Sequence, residues 1–160
     1  MDQKALRLLE FDKIIQKLEE RTATSLGREL VLALEPSADR ETIEASLAET
    51  SDAQAVYWRK GTPPFGGIAD LRGAFRRVIL GSILSCAELL KVAGFLRGVR
   101  LLKQYATSDM PESAEGNLVV TLGRELVSNR PVEDELFRCI ASEDELNDHA
   151  SSELASIRRN

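Results

Sequence analysis

The stretch Leu84–Tyr105, LSCAELLKVAGFLRGVRLLKQY, contains the best-specified helix start in the chain. The Ser85 hydroxyl can accept a hydrogen bond from the first turn, and the Glu88 carboxylate can reach back to the Ser85 amide, which is the pattern of a capping box. Leu84 before the cap and Leu89 inside the helix form a hydrophobic staple. These features together contribute about 1–2 kcal/mol and predict a helix over the rest of the stretch.

The predicted helix has an apolar side and a basic side. The apolar seam consists of Val92, Phe95, Leu96, Val99 and Leu102, and the opposite side carries Arg97, Arg100 and Gln104 with Lys103 beside them. Spacings of three and four residues are typical of a helix that packs on a core. Gly94 and Gly98 each destabilise the helix by roughly 1 kcal/mol relative to alanine. They would allow another helix to approach closely, unless their spacing is accidental.

The sequence before this stretch alternates helix-capping residues with helix breakers. After a short first segment at 4–9, three residues with capping side chains predict helix starts: Asp12, Thr24 and Asp39. Proline lacks an amide hydrogen and glycine adopts left-handed conformations, so the predicted ends are at Pro36, Gly61 and Gly81. The helix from Asp39 carries one stripe at helical spacing, formed by Ile43, Leu47, Thr50 and Tyr57. A proline- and glycine-rich loop at 62–67 and a helix at about 70–79 follow.

After the long helix the predicted elements are shorter. We expect a loop at 107–116, a helix at 117–129 and a helix with Pro131 in its first turn that ends near Ile140. Residues 142–148 are acidic, and a small β-hairpin is left open there. Ser151 or Ser152 caps a last helix at 153–159, whose two turns are marginal alone and read as the start of a longer helix. The predicted fold class is all-α, a helical bundle with a long central helix and at most one small β-hairpin near 140–148.

Charge is distributed unevenly along the chain. The formal net charge is −5, but residues 59–103 contain nine basic and two acidic side chains, which makes that stretch +7 and the rest −12. A nucleic-acid surface, an internal electrostatic interface and ordinary solvated helix faces all fit this pattern. If the stretch contacts nucleic acid, the candidate residues are Arg76, Arg77, Arg97, Arg100 and Lys103.

Motifs of common active sites are absent from the sequence. It has no GxxxxGK[ST] phosphate loop and no GxGxxG fingerprint. The single histidine, His149, lies in a polar stretch, and Cys86 and Cys139 have no metal-ligand spacing. We therefore predict no catalytic residue, no cofactor-binding residue and no metal ligand in this chain.

The expected location is the cytoplasm. The N-terminus lacks the apolar core of a secretory signal, and the apolar runs are far shorter than a bilayer span. Two widely separated cysteines do not form a disulfide framework, which fits a reducing compartment. No membrane partner is predicted.

Short motifs in a fixed order resemble the N-terminal region of the second bacterial type of MutS protein, here called MutS-two. The most specific is Pro63-Pro64-Phe65-Gly66-Gly67-Ile68, followed by Asp70-Leu71-Arg72. The others are Leu9–Ile14, Leu26–Glu29 with Pro36, Leu84-Ser85 with Glu88–Leu90, and Asp148–Leu154 with Ile157–Arg159. The resemblance covers essentially the whole chain.

The resemblance implies a parent protein that is a dimeric ATPase using ATP and Mg. Such parents have the core, lever and clamp of mismatch-repair MutS without its mismatch-reading domain, and many carry a C-terminal Smr endonuclease domain. They are associated with binding of branched DNA, suppression of recombination, and ribosome rescue with contacts to ribosomal RNA. This chain would be non-catalytic and would have the rest of the polypeptide and a second subunit as partners. Its implied segments are core at 1–106, a lever-like approach to the clamp at 107–150, and the start of a clamp helix at 151–160.

One departure from the MutS-two pattern falls in the possible hairpin. Where relatives place Asp-Gly, this chain has Glu143-Asp144, so the glycine that supplies positive φ in such turns is missing. Two other functions remain open: a nucleic-acid-binding module that uses residues 59–103, and a helical protein-interaction domain unrelated to MutS.

The resemblance also yields an expectation about exposed apolar surface. If the part of the bundle that completes the core is missing, apolar side chains that would face it are exposed. We then expect self-association, either by a symmetric dimer or by exchange of the terminal segment after Pro131. The residues expected to be exposed are Leu89, Leu96, Val99, Leu102, Leu118, Leu122 and Leu126.

Overall fold

A computed structural model describes residues 7–111 and 114–159. The helices in these ranges are α1 Phe11–Glu19, α2 Ser25–Leu32, α3 Arg40–Lys60, α4 Arg72–Ile79, α5 Cys86–Thr107, α6 Leu118–Glu125, α7 Arg130–Cys139 and α8 Ser152–Ile157. The described residues contain no β-sheet, so the predicted all-α class is confirmed. None of these helices has the length and apolarity needed to cross a bilayer.

The chain divides into two compact units. Unit 1 comprises Met1–Pro63 with Asp109–Leu122, and unit 2 comprises Pro64–Ser108 with Gly123–Asn160. The division follows contacts between residues and does not address function. The functional boundaries expected after residues 106 and 150 therefore stay a prediction.

Four helix starts form as the capping side chains predict. Thr24, Asp39 and Ser151 accept backbone hydrogen bonds in the first turns of α2, α3 and α8, at 3.0, 2.8 and 3.1 Å. At α5 both halves of the capping box are present, because Ser85 accepts from the Glu88 amide and Glu88 accepts from the Ser85 amide. Helix α5 ends at Thr107, two residues beyond the predicted end at Tyr105.

The predicted cap at Asp12 is wrong. Helix α1 begins at Phe11 and its cap position is Glu10, which has a left-handed backbone with φ 52° and no capping side-chain hydrogen bond. The Glu10 amide bonds to the carbonyl of Arg7, so the chain turns before the helix and starts it early. Asp12 lies in the first turn, where its negative charge interacts favourably with the helix dipole. The first half of the segment predicted at 4–9, residues 4–6, lies outside the described residues.

Unit 1 is centred on the second half of α3. Val56 of α3 is 1% exposed, and Val120 is also buried. The Asp52 carboxylate accepts from the Leu118 amide at 2.7 Å, and the Asn117 side chain donates to the Asp52 carbonyl at 3.1 Å. These bonds attach the start of α6 to the middle of α3.

Unit 2 is organised around α5, where a loop takes the place expected for a second helix. A Cβ built at Gly98 would lie 2.8 Å from the Ile68 Cδ1 and 2.9 Å from the Gly66 carbonyl oxygen. A Cβ built at Gly67 would lie 2.5 Å from the Gly94 carbonyl oxygen. The close approach at Gly94 and Gly98 is therefore made by the Pro-Pro-Phe-Gly-Gly-Ile loop and not by a helix.

The hairpin left open near 140–148 is reduced to one antiparallel bridge. Ile140 pairs with Leu146, and the flanking backbone bond from the Asn147 amide to the Cys139 carbonyl is 2.8 Å. Neither Glu143 nor Asp144 has a positive φ, so the chain reverses without the backbone conformation of an Asp-Gly turn. No strand extends from the bridge on either side.

The apolar residues expected to be exposed are mostly covered. Val99 is buried, which makes the expectation wrong there, because loop and helix neighbours enclose α5 in unit 2. Leu122 is 52% exposed as expected. The others are half-buried: Leu89, Leu96, Leu102, Leu118 and Leu126. Exposure above 60% falls instead on other apolar side chains, among them Leu30 of α2, Leu47 and Trp58 of α3, Val127, and Ile79, Leu80 and Ile83 at the end of α4 and in the turn after it.

Alanine substitutions at the neighbouring residues Gly67 and Gly66 test the contact between the loop and α5. Gly67 has φ 84° and its Cβ would meet a backbone carbonyl, so Gly67→Ala should lower the free energy of unfolding by about 2–4 kcal/mol. Gly66→Ala is the control, because a Cβ at Gly66 has no atom within 4 Å and φ is not positive. Urea unfolding followed by circular dichroism measures both. Equal stability of the two variants would contradict the packing described.

Candidate functional site

All five candidate nucleic-acid contacts lie in unit 2. Arg76 and Arg77 are on α4, and Arg97, Arg100 and Lys103 are on α5. Their surroundings differ, because some of these charges bind partners inside the unit and others point into solvent.

Arg100 binds a buried carboxylate. Its Nε and Nη2 donate to the two carboxylate oxygens of Glu133 on α7, at 2.9 and 2.8 Å. Glu133 is 4% exposed, the only charged residue classed as buried in the described ranges. Hydrogen bonding to Arg100 lowers the pKa of Glu133 below its ordinary value of 4.5, although burial opposes that change. The same bond raises the pKa of Arg100. This pair therefore attaches α7 to α5.

Lys103 and Arg77 also serve contacts within the unit. Lys103 Nζ donates to the Leu126 carbonyl at 2.7 Å, just beyond the end of α6, where a positive charge interacts favourably with the helix dipole. Arg77 forms an ion pair with Glu88, the capping-box residue of α5. The pair connects α4 to the start of α5.

Arg76 and Arg97 remain available for an external partner. Both are exposed, and among the described residues neither has an ion-pair or hydrogen-bond partner. They are the two candidates that could contact a phosphate without giving up a contact within the chain. Whether any of the five binds nucleic acid stays a prediction.

Two arginines bracket the turn between α7 and α8, which we call the elbow, residues 140–151. Arg138 at the end of α7 donates to the carbonyls of His149 and Ala150 at 2.7 and 3.2 Å. Arg158, just after α8, donates to the Leu146 carbonyl at 3.1 Å and forms an ion pair with Asp148. The elbow is thus held from both ends by charged side chains that bind its backbone.

A carboxylate and a thiol lie beside Arg138. Hydrogen bonds from Arg138 lower the pKa of Glu135 to about 2, which keeps this carboxylate ionised near neutral pH. Burial raises the pKa of the Cys139 thiol, and the Glu135 hydrogen bond acts in the same direction. A thiol with a raised pKa is mostly protonated and a poor nucleophile at neutral pH. In the described residues no group of three or more His, Cys, Asp or Glu side chains is placed to hold a metal ion.

The sequence did not predict the elbow contacts. Arg138 and Arg158 stand on either side of the acidic stretch 142–148, and that flanking pattern is the signal that could have identified them. These contacts were not predicted because a hydrogen bond from arginine to a backbone carbonyl has no signature of its own in a sequence.

The fold and the site define a helical module whose buried and bracketing charges hold its helices in place. No protein-family model matches the chain. It is 48% identical over 159 residues to endonuclease MutS2 of Acetivibrio thermocellus, 45% over 159 residues to that of Ruminiclostridium cellulolyticum, and 35% over 158 residues to the putative endonuclease MutS2 of Bacillus subtilis. Each match covers 99% of this chain and 20% of the relative, so the chain spans about a fifth of the length of the curated relatives it matches. The resemblance to MutS-two proteins is confirmed along the whole chain.

We predict that the chain becomes less stable when the negative charge of the buried Arg100–Glu133 pair is removed. Glu133→Gln keeps the shape but leaves Arg100 without a carboxylate, and it should lower the free energy of unfolding at pH 7 by about 1–3 kcal/mol. Because the pKa of Glu133 is lowered on folding, the pair stabilises the fold above pH 4.5, and this stabilisation is lost as the pH falls through the lowered pKa. The difference in the free energy of unfolding between Glu133→Gln and the unsubstituted chain should therefore be smaller at low pH than at pH 7.

Asp134→Asn is the matched control for this measurement. Asp134 is the next residue of α7 and forms an exposed ion pair with Arg130 at 3.4 Å, which contributes little to stability. Denaturant unfolding at several pH values compares the two variants. The interpretation fails if Glu133→Gln is as stable as Asp134→Asn at pH 7.

The exposed arginines predict which substitutions affect nucleic-acid binding. Any binding should be weak, non-specific and salt-dependent, because phosphate contacts release counterions. Arg76→Glu with Arg97→Glu should abolish it. The double change should lower the melting temperature only slightly, because Arg97 and Arg76 interact with the Glu133 and Asp70 carboxylates through charge alone, without a hydrogen bond. Arg100→Glu or Lys103→Glu should lower the melting temperature, because those side chains hold α7 and the end of α6. Fluorescence anisotropy with labelled DNA or RNA at several salt concentrations, together with thermal melts, tests this. Binding that survives the Arg76 and Arg97 changes excludes this surface.

Proposed function

We propose that the chain is the N-terminal helical core and lever segment of a MutS-two-like protein. In this role it is non-catalytic and links the ATPase of the parent to the clamp that engages DNA or a ribosome. The observation that carries the proposal is the match of 99% of the chain, at 35–48% identity, to one fifth of proteins named endonuclease MutS2. Catalysis named for the relatives would then belong to other parts of the parent.

A linking element must be stiff enough to transmit a displacement, and unit 2 has contacts suited to this. The Arg100–Glu133 pair joins α5 to α7, and Arg138 and Arg158 hold the elbow between α7 and α8. If α8 begins the clamp, a displacement of α5 would reach the clamp through α7 and the elbow. Ionic contacts with fixed geometry carry displacement better than exposed, freely rotating side chains.

The cofactors and partners of the parent follow from the same proposal. ATP and Mg would bind outside this chain, which has no phosphate loop. The parent would act as a homodimer in the cytoplasm, on branched DNA in suppressing recombination or on ribosomal RNA in ribosome rescue. An Smr nuclease domain would likewise lie outside these 160 residues.

A direct nucleic-acid-binding role for residues 59–103 is the second candidate. The observation that favours it is the exposure of Arg76 and Arg97 without partners among the described residues. Against it, Arg77, Arg100 and Lys103 have contacts within unit 2. Together with the exposed Lys91, these two arginines still give a small electrostatic footprint compared with the six to ten phosphate contacts typical of tight binders.

If the chain links the ATPase to the clamp, a change in the elbow should reduce the stimulation of ATP hydrolysis by nucleic acid without loss of ATP hydrolysis itself. In the full-length protein, Arg158→Ala should leave the basal rate of ATP hydrolysis unchanged, because the residue lies outside the ATPase. It should reduce the stimulation of hydrolysis by branched DNA or ribosomes roughly 2- to 30-fold, the range expected for residues that carry coupling between sites. Steady-state ATPase assays with and without the nucleic acid measure both quantities.

Arg130→Ala is the control for this experiment. Arg130 forms an exposed ion pair on α7 with side chains more than 60% exposed, so its removal should change neither quantity. A fall in the basal rate in Arg158→Ala would indicate a direct catalytic role. Stimulation unchanged by Arg158→Ala would remove the elbow from the coupling path.

A further inference from the structure

The turn between α4 and α5 carries the most exposed large apolar side chains of unit 2 among the described residues. Ile79, Leu80 and Ile83 are 83%, 84% and 95% exposed, and we call these three side chains the apolar tip. The exposure ends at Leu84, which is half-buried where the chain enters α5. Single exposed apolar residues are normal on a protein surface, whereas three within five residues of one turn indicate a surface that a partner covers.

The backbone holds this turn in one conformation. Gly81 has φ 90°, and its amide donates to the Val78 carbonyl at 2.9 Å. The Ser82 amide donates to the Arg77 carbonyl, also at 2.9 Å. These two bonds are those of a Schellman motif, the glycine-dependent end of a helix. The direction in which the chain leaves α4 is therefore fixed.

Side chains close the turn at its base. The Glu88 carboxylate forms the ion pair with Arg77 of α4, and it also accepts from the Ser85 amide at 3.0 Å. One residue thus joins the end of α4 to the start of α5. Because the turn keeps its shape without a partner, less conformational entropy is lost when a partner binds. Such a surface suits a partner that binds and leaves, since the turn does not need the partner in order to form.

The outer face of α4 extends this surface with an apolar row and a basic row. At about 100° per residue, Phe75 lies about 40° from Ile79, one turn earlier on the same side of the helix. Phe75 is about half exposed. Arg72 and Arg76 form the adjacent row, with Arg76 about 60° from Ile79. Both arginines are exposed.

This face lacks a carboxylate for Arg76. Asp70 pairs with Arg72 at 2.8 Å and Glu88 pairs with Arg77, so both nearby carboxylates are engaged. Between those two acids the sequence has three arginines and no acidic residue. Arg76 makes no hydrogen bond or ion pair among the described residues and interacts with Asp70 through charge alone. A partner that covers this face must therefore supply carboxylates of its own.

We propose that the apolar tip and the outer face of α4 form a docking site for an acidic amphipathic helix of another protein. The apolar side of such a helix would cover Phe75 and the tip, and its carboxylates would pair with Arg76. We assign the helix to another protein because the turn is rigid without it. A site with four large apolar side chains is small, so the complex should be transient. The proposal does not depend on the linking role proposed above.

Two model peptides test the chemistry of the partner. Each is a helix of about 20 residues with leucines on one side, long enough to fold in part on its own. One peptide has glutamate on both edges of the leucine side, and the other has lysine at the same positions. In fluorescence anisotropy the acidic peptide should bind at least about ten-fold more tightly than the basic one. Equal affinities, or tighter binding of the basic peptide, would overturn the proposal.

Substitutions test which residues bind the acidic peptide. Ile79→Ser with Ile83→Ser should weaken its binding at least about ten-fold, because apolar contacts are lost. Val127→Ser is the control and should leave the affinity unchanged, since Val127 is 80% exposed but lies outside the turn. Arg76→Glu should abolish the preference for the acidic peptide. Circular dichroism checks that each variant keeps its helices. Peptide binding that survives the double isoleucine change contradicts the proposal.

Two further measurements detect other occupants of the tip. Co-sedimentation with vesicles of phosphatidylcholine and phosphatidylglycerol that requires Ile79 and Ile83 would assign the tip to a lipid surface and overturn the proposal. In a Cys86→Ala, Cys139→Ala background, Ile83→Cys should react with a maleimide at the same rate in this chain and in a longer polypeptide that contains it. Slower labelling in the longer polypeptide, with Val127→Cys unaffected, would assign the tip to an internal contact and likewise overturn the proposal.

Discussion

The bond between Arg100 and the buried carboxylate of Glu133 is the interaction on which unit 2 depends. Gly98 and Arg100 are two residues apart, so they lie on nearly opposite sides of α5. The Pro-Pro-Phe-Gly-Gly-Ile loop occupies the glycine side, and α7 occupies the arginine side. Helix α5 is therefore enclosed by two different means: close backbone contact where there are no side chains, and a charged pair where α7 carries a carboxylate. Loss of either contact would free one side of the same helix.

The Arg100–Glu133 pair also changes the interpretation of the positive charge in residues 59–103. A count of charges along the sequence gives +7 for that stretch but does not say whether each charge faces solvent. In the structure Arg72, Arg77 and Arg100 bind carboxylates at Asp70, Glu88 and Glu133. Two of those carboxylates lie in the same stretch and the third lies in α7. Only the Arg100–Glu133 pair involves a buried carboxylate, whereas Arg72 and Arg77 stay about half exposed. Three of the nine basic side chains thus form ion pairs within unit 2, and one of those pairs is an internal electrostatic contact.

The contacts that the sequence predicted join residues close together in the chain, and the contacts that it did not predict join residues far apart in the chain. The caps at Thr24, Asp39 and Ser85 were predictable because donor and acceptor are three residues apart. Arg100 and Glu133 are 33 residues apart, and nothing in the local pattern joins them. The same holds for Lys103 and the Leu126 carbonyl, since a backbone acceptor has no sequence signature. At Gly94 and Gly98 the close approach was predictable from the missing side chains, but the identity of the approaching segment was not.

The exposed half of α3 follows from the balance between local and tertiary contributions to helix stability. The Asp39 cap and the Arg40–Glu44 ion pair are local devices that favour its first turns. Devices of this kind contribute about 1 kcal/mol or less each, and helices in proteins gain most of their stability by packing an apolar face against other elements. For α3 that burial is confined to the end near Val56. The first three turns are thus helical although their own unit covers none of their side chains, and their stability depends on these local devices and on continuity with the packed end of the helix.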